Sequence, residues 1–420
     1  MHAEDEMHDE ILPHLPDPDD GGRWRAPALR EQRLYELMRR DEAGEERAHY
    51  EYLRLIAAEG LYRPVPLPAA EGSDGTAPLT VMTLQDGRRV VPAYTVGVLP
   101  RPHPEVVYEF TTLGGLDALW PDGVDILLVN GGTPCTKWFL ADEDEREVWR
   151  DLHVELFQPD GMCDRVETRW TGAPDDEAVL RGLACGAHLC YANGDAWNTL
   201  DWHGAGYANE VEGLSRDWDI DGRDDWLDTQ EQLLRCEVSA WQWHFVLDVR
   251  NLLIRESGSA RIDPVAWRDH VETAVRAQAD GPDAAGFDAA TLDAHVRILR
   301  GLVGEVMRYE ARFRADGLLP PDGYVRSVAA WDLGRASMVA RRGRGARYAT
   351  QAELRDAVER AGKGAQGVYG SWAEFSAGYV LGRCLHFDEE AFGDWYTTVL
   401  DAHRALMTHP ESPWAAIPLH

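Results

Sequence analysis

From about residue 175 to its end the chain is written almost entirely in helical period, and this constrains its fold more than any other feature. The stretch "ATLDAHVRILRGLVGEVMRYEARF" places apolar residues three and four apart along its whole length, which lays one apolar stripe down a long helix. "GLLPPDG" ends that helix, and "YVRSVAAWDLGRASMVA" begins another. Asp263-Pro264 is a helix start, a capping carboxylate followed by proline at the first helical position. Thr350 with Glu353 and Ser371 with Glu374 stand at the spacing of a capping box. No internal repeat is present.

The chain before residue 158 has a different rhythm. Two amphipathic helices, "ALREQRLYELMRR" and "EERAHYEYLRLIAAEG", precede the loop "EGSDGTAP" and then "LTVMTLQDGRRVVPAYT". There Asp86-Gly87 lies between two β-rich runs and signals a tight hairpin. Strands are expected at "EVVYEF", "VDILLVN" and "TKWFLA", with a short helix at "LGGLDALW" and a closing helix at "EDEREVWRDLHVELF". The expected fold is an α+β N-terminal domain over 26–158, then a larger, mainly α-helical domain over 175–416. Residues 1–25, acidic and broken by Pro and Gly, read as a disordered tail.

A chain of 420 residues is too long for one ordinary core, which agrees with this division. Its formal net charge of −31 repels phosphate backbones and anionic membranes, so neither nucleic acid nor a membrane is an expected partner. The same acidity suits a basic protein. Lys137 and Lys363 are the only lysines among many arginines, the codon bias of a GC-rich bacterial genome. Six scattered cysteines form no C-x-x-C pair. The acidic N-terminus has no apolar signal core, and no apolar run approaches the roughly 20 residues of a membrane span. These features are those of a cytoplasmic protein with reduced thiols.

Two helices carry the residues of chemical interest. In "SWAEFSAGYVLGR" and its continuation, Trp372, Phe375, Tyr379 and His386 share a face, Arg383 lies at its edge, and Glu374 lies on another side. Glu374 therefore cannot pair with Arg383 and is expected to start the helix with Ser371. In "WDLGRASMVARR", Trp331, Asp332, Arg335, Met338, Val339 and Arg342 fall within an arc of roughly 100°. An acid and an arginine on an apolar face must be satisfied across an interface. Asp332 with Arg383 is the simplest pair, and Arg335 would then meet a nearby carboxylate or carbonyl. Two readings stay open: a buried ion-pair lock, or an anion pocket in which Arg335 and Arg383 grip a carboxylate or phosphate. Trp331, Trp372 and Tyr379 would flank either one.

Other motifs are weaker. "CGAHLC" offers Cys185, His188 and Cys190 but no fourth ligand, and neither metal nor cofactor is expected. "HFDEE" and "DAHRALMTHP" supply His386, Asp388, Glu389, Glu390, His403 and His409 without the double-histidine spacing of a helical zinc site. "DWDIDGRDDWLD" has the wrong ligand order for a calcium loop, yet Asp217, Asp219, Asp224 and Asp225 would face a basic partner. "RRGRGAR" reads as a helix C-terminus, where cations suit the dipole. "NGGTP" is followed by no Lys-Ser or Lys-Thr, and no G-x-S-x-G elbow occurs, so no catalytic set is recognisable.

The pair "VAAWDLGRASMVARRG" and "YGSWAEFSAGYVLGR", with "LACGAHLCYANGDAWNTL" and "LSRDWDIDGRDDWLDTQEQLL" upstream, resembles the bacterial domain-of-unknown-function family 1266 over about residues 178–405. The link "GARYATQAELRD" departs from that family's usual Gly-Tyr-Leu turn. Residues 30–158 are similar to an SseB-type N-terminal domain, with Asn130-Gly131-Gly132 where that family more often has Asn-Pro-Gly. Both families occur in bacterial gene sets that include toxin-immunity and chaperone-like proteins, and neither resemblance brings an activity with it, which favours a binding role. The expected function is a non-enzymatic, immunity-like or adaptor protein that engages a protein partner through its acidic surface. The alternative is an enzyme or sensor for a small anionic ligand, built on Asp332, Arg335, Glu374 and Arg383.

Overall fold

The fold was obtained as a computed structural model, which describes residues 28–71, 77–158, 163–200, 203–204, 206–279 and 288–420. The expected acidic tail, 1–25, lies outside the described residues.

Two helices, α1 (Leu29–Glu42) and α2 (Glu46–Glu59), open the chain where the two amphipathic segments were read. They lead into β1 (Leu61–Pro66), α3 (Leu67–Glu71), β2 (Met82–Thr83), β3 (Arg89–Ala93), β4 (Val106–Thr111), α4 (Leu113–Ala118), β5 (Ile126–Val129), β6 (Lys137–Leu140) and α5 (Glu143–Leu156). The Asp86-Gly87 hairpin forms as expected: β2 and β3 pair antiparallel, and Gly87 takes the positive φ of +86° that the turn demands. One sheet has the order β2-β3-β5-β6. In the second, β1 pairs antiparallel with β4 along its full length, and a bridge from Tyr62 to Tyr94 ties the two sheets together. α1, α2 and α5 cover the first sheet and enclose a core that includes Leu34, Tyr52, Ile56, Leu127, Phe139 and Trp149.

The rest is helical: α6 (Glu177–Cys185), α7 (Ala187–Asn193), then after β7 (His203–Gly204) come α8 (Tyr207–Trp218), α9 (Arg223–Leu234), α10 (Trp241–Ser257), α11 (Pro264–Ala279), α12 (Ala289–Ala315), α13 (Ala329–Gly345), α14 (Gln351–Val368), α15 (Trp372–Phe387), α16 (Asp394–Thr408) and α17 (Pro413–Ala416). β7 pairs with β4, so this part of the chain contributes a strand to the N-terminal sheet. Among the described residues no helix is long and apolar enough to cross a membrane.

The helical part is organised around α13. Every residue from Ala329 to Ala340 is buried, so this helix is enclosed on all sides. Small residues make that enclosure possible. A Cβ on Gly382 of α15 would stand 2.5 Å from the Cβ of Trp331, and one on Gly334 would stand 2.9 Å from the ring of Tyr379. The α13–α15 crossing is therefore close because glycine occupies both sides of it. α9 docks on another flank of α13 through the buried Trp226, whose indole N–H donates to the Val339 carbonyl at 3.1 Å.

Candidate functional site

Sequence reasoning placed Asp332, Arg335 and Arg383 at the contact of α13 and α15, and the structure brings all three to that region but pairs them differently. Asp332 is fully buried. Its carboxylate accepts from the Ser239 amide at 3.0 Å and the Ser239 hydroxyl at 2.9 Å, and it forms an ion pair with Arg335 one turn along the same helix. Arg335 also donates to the Trp331 carbonyl at 3.1 Å, and its guanidinium lies 4.4 Å from the centre of the Trp331 ring. Burial pulls the Arg335 guanidinium below its ordinary pKa against the opposing pull of Asp332, so the ion pair does not fully offset its desolvation.

The expected pairing of Asp332 with Arg383 does not form. An aspartate on a helix reaches an arginine three residues on without help from a neighbour, and the α9–α10 connection supplies Ser239 as the further donor, so the carboxylate is saturated before α15 is reached. Arg383 instead stacks its guanidinium over Trp395 and Phe387, 5.2 and 5.6 Å from the ring centres. Among the described residues it makes no ion pair, and its buried Nε has no hydrogen-bond partner.

Glu374 starts α15, as its spacing with Ser371 implies, but with one change. The Ser371 hydroxyl accepts from the Glu374 amide at 3.2 Å, while the Glu374 carboxylate accepts from the Gly370 amide at 2.9 Å rather than closing the box on Ser371. The box at Thr350 and Glu353 forms in both directions, and Arg223 with these bonds holds the Glu353 carboxyl down at about 2. Trp372 stacks on Trp414 with ring centres 5.9 Å apart and donates to the Ile417 carbonyl at 2.7 Å. It therefore holds the C-terminal segment and does not border the Asp332–Arg335 pair.

Tyr379 leads to a buried polar chain that sequence reasoning missed. Its ring stacks on His188 at 4.2 Å and meets Trp331 edge-on at 4.9 Å. His188 Nε2 is 2.9 Å from the Ser376 hydroxyl, which is 2.8 Å from His403 Nδ1. Burial holds His188 well below its ordinary pKa and His403 down to about 4, so both imidazoles are neutral at pH 7. A serine between two neutral imidazoles, all enclosed in the core, joins α7, α15 and α16 without charge. The sequence set His188 in "CGAHLC" and His403 in "DAHRALMTHP" as members of separate groups, because their 215-residue separation is closed by tertiary packing alone. "CGAHLC" gathers no metal set: Cys185 ends α6, Cys190 receives an N–H from Arg341, and no group of metal-ligating side chains occurs among the described residues.

The acidic loop residues are exposed and partly committed. Asp217 pairs with Arg216 at 2.8 Å and is lowered by that contact, and it stands 3.7 Å from Arg342. Asp219 takes a left-handed conformation, φ +54°, at the end of α8. Asp224 and Asp225 lie in the first turn of α9, where carboxylates suit the helix dipole, and Asp225 accepts from the Asp221 amide at 3.2 Å.

The basic run at the end of α13 divides its work. Arg341 donates to the Ala196 carbonyl at 2.5 Å, Arg342 faces Glu210 at 3.9 Å, and Arg344 donates to the Gln351 side chain at 3.2 Å. Burial lifts the Glu210 carboxyl to about 7 despite Arg342.

Residues 213–419 match the family model described as Protein of unknown function (DUF1266). The match begins inside α8, later than the residue near 178 from which the resemblance was read, and runs through α17. No curated protein matches the chain, and no solved structure does.

Proposed function

With residues 213–419 a domain of the DUF1266 family, we propose that this chain is a non-enzymatic binding protein that holds a basic protein partner on the α8–α10 face. One observation carries the reading: uncompensated carboxylates and exposed apolar side chains occur together in the segment from Tyr207 to Trp241. Between Tyr207 and Ala240 stand ten carboxylates against three arginines. Arg216, Arg223 and Arg235 are each engaged by Asp217, Glu353 and Glu231. Asp224, Asp228 and Glu237 make no ion pair among the described residues. Leu227, Val238 and Trp241 are exposed in the same stretch, Trp241 by 52 %. A large aromatic beside uncompensated charge is the composition from which interface anchors are built, and the charge selects a partner of opposite sign.

The alternative, an enzyme or sensor gripping a small anion through Asp332, Arg335, Glu374 and Arg383, is not favoured by the same geometry. Asp332 and Arg335 close on each other, Glu374 caps a helix, and Arg383 stacks on aromatic rings.

The test compares wild type, Asp224→Asn/Asp228→Asn and Trp241→Ser as affinity baits at low salt. A single stoichiometric protein retained by wild type, released at high salt and lost from both variants supports the reading, because surface charge pairs are screened. Equal retention by the variants, or no stoichiometric partner at all, overturns it.

A further inference from the structure

A local reversal of sign in this acidic protein lies between its two parts. A cavity of about 350 Å³ opens between the connection preceding β4 together with β4 itself, Arg169 on the segment joining the two parts, and the C-terminal end of α13. Its wall includes the side chains of His103, Tyr108, Arg169, Arg344 and Arg347, with Leu67 on the apolar side. Among the described residues the wall contains no carboxylate.

The helix dipole explains Arg344 and Arg347 by themselves, since cations suit a helix C-terminus. It does not explain why His103 and Arg169, from other elements, border the same space. Arg169 is fixed there by donating to the Pro100 carbonyl at 2.5 Å and the Thr171 carbonyl at 2.7 Å. The His103 ring accepts the Glu105 amide at Nδ1, 3.2 Å away, which leaves Nε2 as its donor atom. Arg344 makes no ion pair among the described residues and spends one donor on Gln351.

A second, independent feature points the same way. Tyr108 is 4 % exposed, and its hydroxyl is buried with no hydrogen-bond partner among the described residues. A buried unsatisfied hydroxyl costs about 1–3 kcal/mol. Tyr108 borders the cavity, Arg169 acts on its hydroxyl electrostatically, and that hydroxyl is a donor without an acceptor.

We infer that this cavity binds a metabolite-sized organic oxyanion, its head held by Arg344, Tyr108 and His103 and its apolar portion resting near Leu67. The volume falls in the range of small-molecule sites, and sites of this kind favour the boundary between domains. Guanidinium groups match the flat edge of a carboxylate and the face of a phosphate alike, so the shared oxyanion head is what the wall recognises. Negative surroundings exclude anions from the rest of the surface, so a local positive wall concentrates them here. The inference is independent of the protein partner proposed above and uses none of its residues.

Three probes of equal ring size test it on the full chain: phenyl phosphate, benzoate and neutral phenol, each titrated by calorimetry at constant ionic strength. Phenyl phosphate or benzoate should bind saturably in the millimolar range or tighter, and phenol at least tenfold more weakly, since a charge-assisted contact is worth roughly a factor of ten or more. Which anion binds better identifies the head as phosphate or carboxylate. Arg344→Gln should weaken that binding at least tenfold. Tyr108→Phe removes only the orphan hydroxyl, leaves the ring packing intact, and should weaken binding several-fold without lowering the melting temperature. No saturable binding of either anion, equal binding of phenol, or unchanged affinity in both variants overturns the inference.

Discussion

Replacing Asp332 by Asn tests whether the pair it forms with Arg335 is a closed unit. The carboxylate is fully buried and receives Arg335 and both donors of Ser239. An asparagine of the same shape can accept from one donor, but its own N–H groups then face the others. Breaking a buried pair from one side costs about 3–5 kcal/mol. Arg335 keeps its bond to the Trp331 carbonyl and its stacking on the Trp331 ring, so the lower end, about 3 kcal/mol, is expected. Arg335→Met preserves bulk and leaves Asp332 with the two Ser239 bonds, at about 2 kcal/mol. The double variant removes both charges together and should cost clearly less than the sum of the two, giving a coupling energy of about 2 kcal/mol. Urea unfolding followed by far-ultraviolet circular dichroism measures all four corners of the cycle. A coupling below about 0.5 kcal/mol would refute the closed pair. The same cycle between Asp332→Asn and Arg383→Ala should be additive within about 0.5 kcal/mol, because Arg383 stacks on Trp395 and Phe387 instead. Strong coupling there would restore the Asp332–Arg383 lock that the sequence suggested.

Gly382→Ala places a Cβ at 2.5 Å from that of Trp331, so α13 and α15 must separate, and a loss of about 1–3 kcal/mol in urea unfolding is expected. A neutral result would show that this crossing is loosely packed. Acid should destabilise the His188–Ser376–His403 chain. The folded pKa of each histidine is depressed, so the unfolded chain takes up protons first as pH falls below about 6.5, and stability drops by about 1.4 kcal/mol per pH unit per histidine until the folded His403 titrates. Glu210, raised to about 7, works in the opposite direction over part of this range, so the measurable quantity is a difference. Between pH 6 and pH 5, His403→Gln should lose stability less steeply than wild type by about 1.4 kcal/mol per pH unit, and parallel pH profiles would refute the assignment.

Local signals determined most of the architecture. The helix pair, the Asp86-Gly87 hairpin, the Asp263-Pro264 start, the Thr350 capping box and the long helix ending at "GLLPPDG" are written within a few residues of where they act, and each appears in the structure. Period and caps are properties of neighbouring residues, so no tertiary information is needed to read them. The convergence of Asp332 and Arg335 on one buried face was likewise legible, since it follows from helical geometry alone.

What tertiary structure alone decided is which partner each of these groups meets. Ser239 lies 93 residues from Asp332 and has nothing in its surroundings that marks it as a ligand for a buried carboxylate. Ser376 becomes the centre of a histidine chain only because α7 and α16 flank α15. The oxyanion cavity needs His103, Tyr108 and Arg344 from elements more than 200 residues apart. A helix face says that a charge will be buried, but desolvation penalises that charge equally for every possible neighbour. Only the packing of the whole chain, which fixes distances between segments that no local period relates, selects Ser239 over Arg383 for Asp332.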